Sequence, residues 1–244
     1  MTLTSLLGDL RVLYHLTLAP VRGRTHSERL ESFYANQSAD YDRFRRKLLH
    51  GREELISMLP LVSGSTWVDL GGRPRVNKEA AGKHLANLSQ VMVVDLSPSL
   101  LRRAEERIQE CGWQNVKTCL ADATEFVPTS PADIVTCSYS LTMIPDRFAA
   151  IKRAWEMLRP GGVIGVVDFY VSRKYPAQGR RRHGWFSRTM LPAWFAGDNV
   201  NLSSDHLPFL ERQFETLTIH ERRGKIPWAP FMTAPYYLFL GRKA

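Results

Sequence analysis

Three acidic residues, each at the end of an apolar run, carry the chemistry open to this sequence. The stretch Thr66 to Asn77 reads TWVDLGGRPRVN: Trp67 and Val68 lead into Asp69, and Gly71 and Gly72 follow before a helical pattern begins. A strand ending in an acid, a glycine turn and a helix start form the nucleotide-binding opening of an open α/β sheet. Glycine there lets backbone N–H groups approach a ligand with no Cβ in the way. A second run, Val91-Met92-Val93-Val94, ends in Asp95 and Leu96. An acid at that place accepts hydrogen bonds from the two hydroxyls of a ribose. Asp122 closes a third run, Leu120-Ala121-Asp122-Ala123.

Such acids share one ligand only if a parallel sheet brings their strand ends to a common edge. The rest of the chain supplies that pattern. Pro98 to Glu110 reads as a helix opened by Ser97, with Pro98 in its first turn. Ala132 to Ser138 is a strand, Phe148 to Leu158 a helix, Pro160-Gly161-Gly162 a turn and Val163 to Phe169 a continuous apolar strand. Alternation of this kind implies parallel crossovers. Glu215 to Glu221 and Tyr236 to Leu240 form a closing pair.

Composition sets the class. The chain has 244 residues, 44% hydrophobic and 23% charged, as expected of a soluble globular protein of one or two domains with a sizeable core. A net charge of +9 points to an anionic partner, whether nucleic acid, membrane surface or acidic ligand. The 3 cysteines form no C-x-x-C, which speaks against a disulfide framework and a zinc site. In residues 1–24, Leu3, Leu6, Leu7, Leu10, Leu13 and Tyr14 recur at helical spacing. That pattern suits a helix packed on the domain or one lying on a membrane interface with Arg11, Arg22 and Arg24. Ser27 to Leu59 is helical in pattern, and Arg45, Arg46, Lys47 and Arg52 read as a solvated face.

Residues 170–212 exceed what a connection between a fifth strand and a last helix needs. Arg173, Lys174, Arg180, Arg181, Arg182 and Arg188 alternate with Tyr175, Trp185 and Phe186, and Met190, Leu191, Trp194 and Phe195 follow. Basic charge mixed with aromatics suits a membrane interface, a single-stranded nucleic acid, or a lid whose aromatics simply pack.

The acidic strand ends in this order resemble a class I S-adenosylmethionine-dependent methyltransferase. Across most of the chain the sequence is similar to the bacterial methyltransferases of betaine-lipid synthesis. That likeness rests on His26-Ser27-Glu28-Arg29-Leu30, Tyr41-Asp42-Arg43-Phe44, Leu49-His50-Gly51-Arg52-Glu53, Ser138-Tyr139-Ser140-Leu141-Thr142-Met143-Ile144-Pro145-Asp146, Asp168-Phe169-Tyr170 and His183-Gly184-Trp185-Phe186. The resemblance implies a Rossmann-like α/β fold: a seven-stranded, mostly parallel sheet with an antiparallel last strand, an N-terminal extension over 1–26, a methyltransferase domain over 27–244 and a lid insertion over 170–212. It implies S-adenosylmethionine as methyl donor, held by Asp69, Gly71, Gly72, Asp95, Leu96, Asp122, Ala123 and Ser138. Tyr34 or Tyr41 either covers the methionine end or packs in the core. The implied substrate is the amine of diacylglyceryl-homoserine, methylated three times by a cytoplasmic enzyme peripheral to an anionic membrane.

Methyl transfer to an amine needs a lone pair, hence a base or a depressed amine pKa. Tyr139, His206 and Asp205 are the candidates for that neighbourhood. Tyr139, Tyr170 or Trp194 would hold the cationic product by cation–π contact, and Arg182 or Arg188 the substrate carboxylate. The sequence departs from Asp-x-Gly-x-Gly-x-Gly at Arg73 and Arg75. These arginines either obstruct the cofactor, leaving a methyltransferase-like interaction module, or clamp its carboxylate in a remodelled loop. A phosphatidylethanolamine or small-molecule methyltransferase is the near alternative. Nucleic acid is the weaker reading, because Ser138-Tyr139-Ser140-Leu141 stands where an Asn-Pro-Pro-Tyr motif would.

Overall fold

A computed structural model describes residues 25, 28, 48–71, 82–197, 199–226 and 229–244. In chain order the elements are α1 (Arg52–Met58), β1 (Thr66–Leu70), α2 (Gly82–Leu85), β2 (Gln90–Asp95), α3 (Pro98–Cys111), β3 (Val116–Leu120) and β4 (Ala132–Ser138). Then come α4 (Arg147–Met157), β5 (Leu158–Phe169), α5 (Trp185–Ala196), α6 (His206–Gln213), β6 (Glu215–Ile226) and β7 (Ala229–Arg242). The strands form one 7-stranded sheet in the order β3-β2-β1-β4-β5-β7-β6. β1 to β5 run parallel, and β7 is antiparallel to both β5 and β6. The expected seven-stranded sheet with an antiparallel end is present.

Local sequence explains the elements. Ser97 caps α3 by accepting a hydrogen bond from Leu100 N–H at 3.4 Å, and Pro98 occupies the first turn, where no N–H is needed. Gly112 ends α3 in a left-handed conformation. Asp146 caps α4 through Oδ1, which accepts from Ala149 N–H at 2.9 Å. The parallel strands are covered on both faces, so their residues read as continuous apolar runs: Val68, Leu70, Val94, Val135, Cys137, Ile164 and Val166 are all inaccessible. Each such aliphatic side chain contributes roughly 1.5–3 kcal/mol. The exposed Arg173–Asp205 pair at 2.8 Å contributes at most about 1 kcal/mol. Burial in the sheet therefore dominates.

Register sets the site. Asp69 lies opposite Val93 and Thr136, and Asp95 opposite Leu120. The carboxyl ends of β1, β2 and β4 thus meet at one edge beside the β1–β4 switch point, where open α/β sheets bind ligands.

Three boundaries differ from the sequence expectation. β5 begins at Leu158 rather than Val163, because the Pro160–Gly162 stretch pairs with the chain end: Gly161 N–H donates to Lys243 O at 2.9 Å, and Lys243 N–H to Gly162 O at 2.8 Å. The closing hairpin is longer than its apolar core. His220, Glu221, Arg222 and Arg223 lie on the edge strand β6, where charged residues suit a solvated rim. The helix expected to run through to Leu59 is interrupted at Gly51, whose φ of 79° is left-handed. Residues 1–24, Tyr34 and Tyr41, for which the sequence raised expectations, lie outside the described residues.

The 170–212 stretch divides in two. Leu191 and Phe195 are buried, with the Phe195 ring 5.1 Å from Phe169 and 5.6 Å from Trp194. Tyr175, Trp185 and Phe186 remain 74%, 73% and 62% exposed. Among the described residues no helix is long and apolar enough to cross a membrane.

Candidate active site

A cavity of about 220 Å³ opens at the carboxyl edge of the sheet, lined among others by Arg52, Gly71, Asp95, Asp122, Tyr139 and Asp146. Asp95 is buried, and its Oδ1 accepts from Ser97 N–H at 2.8 Å. That bond fixes the carboxylate at the end of β2. Asp122 is fixed in the same manner, with Oδ1 accepting from Thr124 N–H at 2.8 Å and Thr124 Oγ1–H at 2.7 Å. Val94, Leu96, Leu100, Ala121, Ala123 and Ile144 supply apolar wall between these acids.

Gly71 is the described part of the glycine turn. Its φ is +66°, and a Cβ on it would lie 2.5 Å from Ser140 Cβ. Strand β1 can meet the loop after β4 this closely only with glycine there. Gly72, Arg73 and Arg75 lie outside the described residues.

Asp69 does not line the cavity. Its Oδ1 accepts from Thr136 Oγ1–H at 2.5 Å, and Thr136 Oγ1 in turn accepts from Trp67 Nε1–H at 2.7 Å. Burial raises its pKa to about 6, against the opposing pull of that hydrogen bond and of the Arg52 charge. Asp69 thus supports the floor beneath the turn. Ser138 and Tyr139 do line the cavity. Tyr139 has a left-handed φ of 55°, unusual for a non-glycine residue, and such strain gathers at functional sites. Its hydroxyl donates to His50 O at 2.7 Å, and burial pushes its pKa well up. A phenol so committed is poorly placed to act as a base.

Asp205 and His206 lie apart from the lining. Asp205 is half exposed and pairs with Arg173, while His206 is fully buried with Nδ1 2.7 Å from Tyr237 Oη. Burial holds the His206 pKa down to about 3, so the ring is neutral and structural. Tyr170 donates its hydroxyl to Glu221 at 2.7 Å, and neither Tyr170 nor Trp194 lines the cavity.

Two functional residues escape sequence reasoning. Arg52, assigned to a solvated face, sits in the lining with its guanidinium 5.4 Å from the Tyr139 ring centroid and Nη2 donating to Ser138 O at 3.4 Å. The signal was Gly51 just before it: a cation in the first turn of α1 opposes the helix dipole, which asks for a specific role. Asp168, buried at the end of β5, accepts from Thr142 Oγ1–H at 2.7 Å, Thr142 N–H at 3.2 Å and Phe169 N–H at 2.8 Å. It holds the loop that forms one wall of the cavity, and burial raises its pKa to about 6.

The lining fits S-adenosylmethionine. Gly71 admits no Cβ, one rigid carboxylate ends β2 at the place suited to ribose hydroxyls, a second lies just after β3, and apolar wall lies between them for a base. Arg52 is the described cation able to meet a methionine carboxylate.

Known proteins agree. By sequence the chain is 27% identical over 126 residues to a trans-aconitate 2-methyltransferase of Azoarcus sp. (strain BH72), covering 52% of this chain and 47% of that protein. It is 24% identical over 146 residues to a demethylmenaquinone methyltransferase of Geobacillus stearothermophilus, covering 57% and 62%. The matched stretch thus spans only about half to three-fifths of the length of these relatives. By structure it is similar to the N-methyltransferase NodS from Bradyrhizobium japonicum WM9 in complex with S-adenosyl-L-homocysteine, with a TM-score of 0.53, 14% identity and 97% and 98% of the two chains covered. A phosphoethanolamine-type N-methyltransferase of Haemonchus contortus, with phosphomonomethylethanolamine and S-adenosylhomocysteine, gives a TM-score of 0.57 at 16% identity over 75% of this chain and 50% of that one. At such identities the structures speak to fold alone. Residues 43–219 match the model of the ubiE/COQ5 methyltransferase family, a match over most of the chain, and the chain therefore belongs to that family of S-adenosylmethionine-dependent methyltransferases.

Proposed function

We propose that this protein is an N-methyltransferase acting on the amine of a lipid head group, with diacylglyceryl-homoserine as acceptor and the trimethylated betaine lipid as product. The observation that carries the reading is charge segregation. The chain is +9 overall, yet Asp95, Asp122 and Asp146 line the cavity and Arg52 is the cation among its described lining residues. An acidic cavity in a basic protein favours cationic groups, and both the sulfonium of the donor and the ammonium of the zwitterionic homoserine head group are such groups.

S-adenosylmethionine, when bound, would supply an electrophilic methyl group on its sulfonium. Asp95 and Asp122 would hold its nucleoside end and Arg52 its methionine carboxylate, so that this chain's residues orient it. The apolar wall of Leu100, Met143 and Ile144 excludes water. Desolvation lowers the amine pKa, and Asp146 at the rim receives the proton that must leave before each transfer. No histidine lines the cavity among the described residues, which favours an acceptor needing only the loss of an ammonium proton. The exposed Tyr175, Trp185 and Phe186 beside Lys174 and Arg182 support a lipid surface as the source of the acceptor.

A second reading, methylation of a quinol lipid, is favoured by the demethylmenaquinone methyltransferase relative. Incubation with methyl-labelled S-adenosylmethionine separates the two. Label is expected in mono-, di- and trimethylated diacylglyceryl-homoserine; label confined to demethylmenaquinone, or to phosphatidylethanolamine, would overturn the homoserine-lipid assignment.

A further inference from the structure

A second cluster of polar groups lies away from the cavity, where the 170–212 stretch meets β6. His183, just before α5, is only 4% exposed. Its Nδ1 accepts from Ser172 N–H at 3.0 Å, and its own backbone N–H donates to Ser172 Oγ at 2.8 Å. Burial, then the charge of Arg223, holds its pKa down to about 4. At neutral pH the ring is uncharged, and because Nδ1 is an acceptor the proton sits on Nε2. That Nε2–H is buried and has no partner among the described residues. A buried donor left unanswered is costly, so it asks for an acceptor.

The same ring lies in the field of Arg223, Arg181 and Arg188. Neighbouring arginines are met by carboxylates: Arg173 by Asp205 at 2.8 Å, Arg180 by Glu211 at 2.5 Å and Arg222 by Glu54 at 2.5 Å. Among the described residues no carboxylate pairs with the side chains of Arg181, Arg188 or Arg223. Among the described residues Arg223 reaches the hydroxyls of Thr233 at 2.8 Å and Ser187 at 3.2 Å, and the buried Nε of Arg188 has no partner there. Glu221, the one acid acting on His183, is engaged by Tyr170 Oη–H at 2.7 Å and Arg181 N–H at 2.9 Å.

Helix α5, 12 residues long, starts at this point with no side-chain cap on Gly184. Among the described residues nothing lies within 4 Å of where a Cβ on Gly184 would be. Free N–H groups and the helix dipole favour an anion there. Arg223 reaches Ser187 in the first turn of α5 at 3.2 Å, so three arginines and an unanswered imidazole N–H lie in the neighbourhood of an uncapped helix start.

We infer that the start of α5, with Arg181, Arg188, Arg223 and His183, is a phosphate-binding site separate from the methyl-transfer cavity. The first two residues of α5 are the exposed Trp185 and Phe186. Their place beside the site favours the phosphodiester of a phospholipid over free phosphate, because the rings enter the interface as the head group seats. This assignment assumes nothing about the methyl acceptor.

The test measures binding, not methylation. Vesicles of phosphatidylcholine with a third phosphatidylglycerol are sedimented with wild type, with Arg188→Gln/Arg223→Gln, and with Arg102→Gln/Arg107→Gln, which removes equal charge from α3. The first pair should lower partitioning by about tenfold and the control pair by less than about threefold. Equal losses would mean diffuse electrostatics and overturn the site. Millimolar inorganic phosphate is compared with chloride of equal ionic strength by thermal melt. A phosphate shift lost in the first pair, with vesicle binding unchanged, supports the site with free phosphate as its ligand. No response to phosphate or vesicles overturns it. Should the double variant not fold, Arg223→Gln alone carries the comparison, because among the described residues that exposed side chain bonds to hydroxyls.

Discussion

Gly71 allows the turn to be tested with a single methyl group. Its φ is +66°, and an added Cβ would lie 2.5 Å from Ser140 Cβ and 3.3 Å from Ser140 Oγ. Two costs are separable. A left-handed backbone costs an L-residue about 1–2 kcal/mol, and forcing a methyl into a packed contact costs about 1–3 kcal/mol. Ser140 cannot swing aside, because the obstructing atom is its Cβ and its carbonyl accepts from Met143 and Ile144 N–H, both at 2.9 Å. Gly71→Ala should therefore destabilise by about 2–5 kcal/mol. Adding Ser140→Gly removes the clash and leaves the backbone strain, so roughly 1–3 kcal/mol should return after the cost of the single Ser140→Gly variant is subtracted. Urea unfolding of the four proteins gives this coupling, and calorimetry with S-adenosylhomocysteine shows whether affinity follows. If the two substitutions add, with no coupling, the close approach of β1 to the loop after β4 is wrong.

Three further outcomes are expected. Asp95→Ala should weaken S-adenosylmethionine binding by roughly 2 kcal/mol in a calorimeter, since a buried, oriented carboxylate accepting from two hydroxyls is lost; unchanged affinity in a folded variant would remove Asp95 from the site. Asp69 and Asp168, each raised to about 6 by burial, bind their protons more tightly folded than unfolded. Their stabilising contribution is therefore full below about pH 4 and lost as pH rises through 6, and Asp168→Asn should flatten the stability curve over that window by on the order of 1 kcal/mol or more in urea melts at stepped pH. Arg73→Gly with Arg75→Gly should tighten S-adenosylmethionine binding by more than about tenfold if the arginines obstruct the turn; weaker binding would show that they clamp the methionine carboxylate instead.

Legibility in the sequence follows from which physical signal is local. Buried strands announce themselves as apolar runs, and Val91 to Val94, Ala132 to Ser138 and Val163 to Phe169 were readable for that reason. Caps are equally local, as Ser97 and Pro98 show. The edge strand β6 was not fully readable, because half its residues face solvent and carry charge. The start of β5 was hidden because its turn-like residues pair with Lys243 at the far end of the chain. At the site, Asp95 and Asp122 could be placed from strand ends alone, since register brings such residues to one edge. Arg52 could not, because a basic residue among basic residues reads as surface until Gly51 is seen to redirect the chain. Asp205 and His206 show the converse: residue types suited to acid–base chemistry sit away from the cavity, one in an exposed ion pair and the other bonded to Tyr237 in the core.

Charge ties the two sites together. A uniformly basic surface would disfavour both the sulfonium of the donor and the ammonium of the proposed acceptor, so on that proposal the acids belong at the cavity and the arginines elsewhere. The fold accomplishes this by topology. Strand ends of a parallel sheet deliver Asp95 and Asp122 to the cavity, with Asp146 capping α4 at its rim. The stretch after β5 carries the arginines onto a different face, beside Trp185 and Phe186. An anionic surface held at that face would bring its own acidic head groups, and with them a raised local concentration of amine-bearing lipid, to a cavity of opposite sign. On the two proposals above, the two fields would act in sequence, one on the membrane and the other on the amine. Salt should separate them: exposed attraction to the membrane falls steeply across a Debye length of about 8–10 Å, while the buried Asp95 of the cavity is screened much less. Binding of S-adenosylhomocysteine should accordingly survive a rise in ionic strength that releases the protein from anionic vesicles, and a parallel loss of both would show that the two charged regions do not act independently.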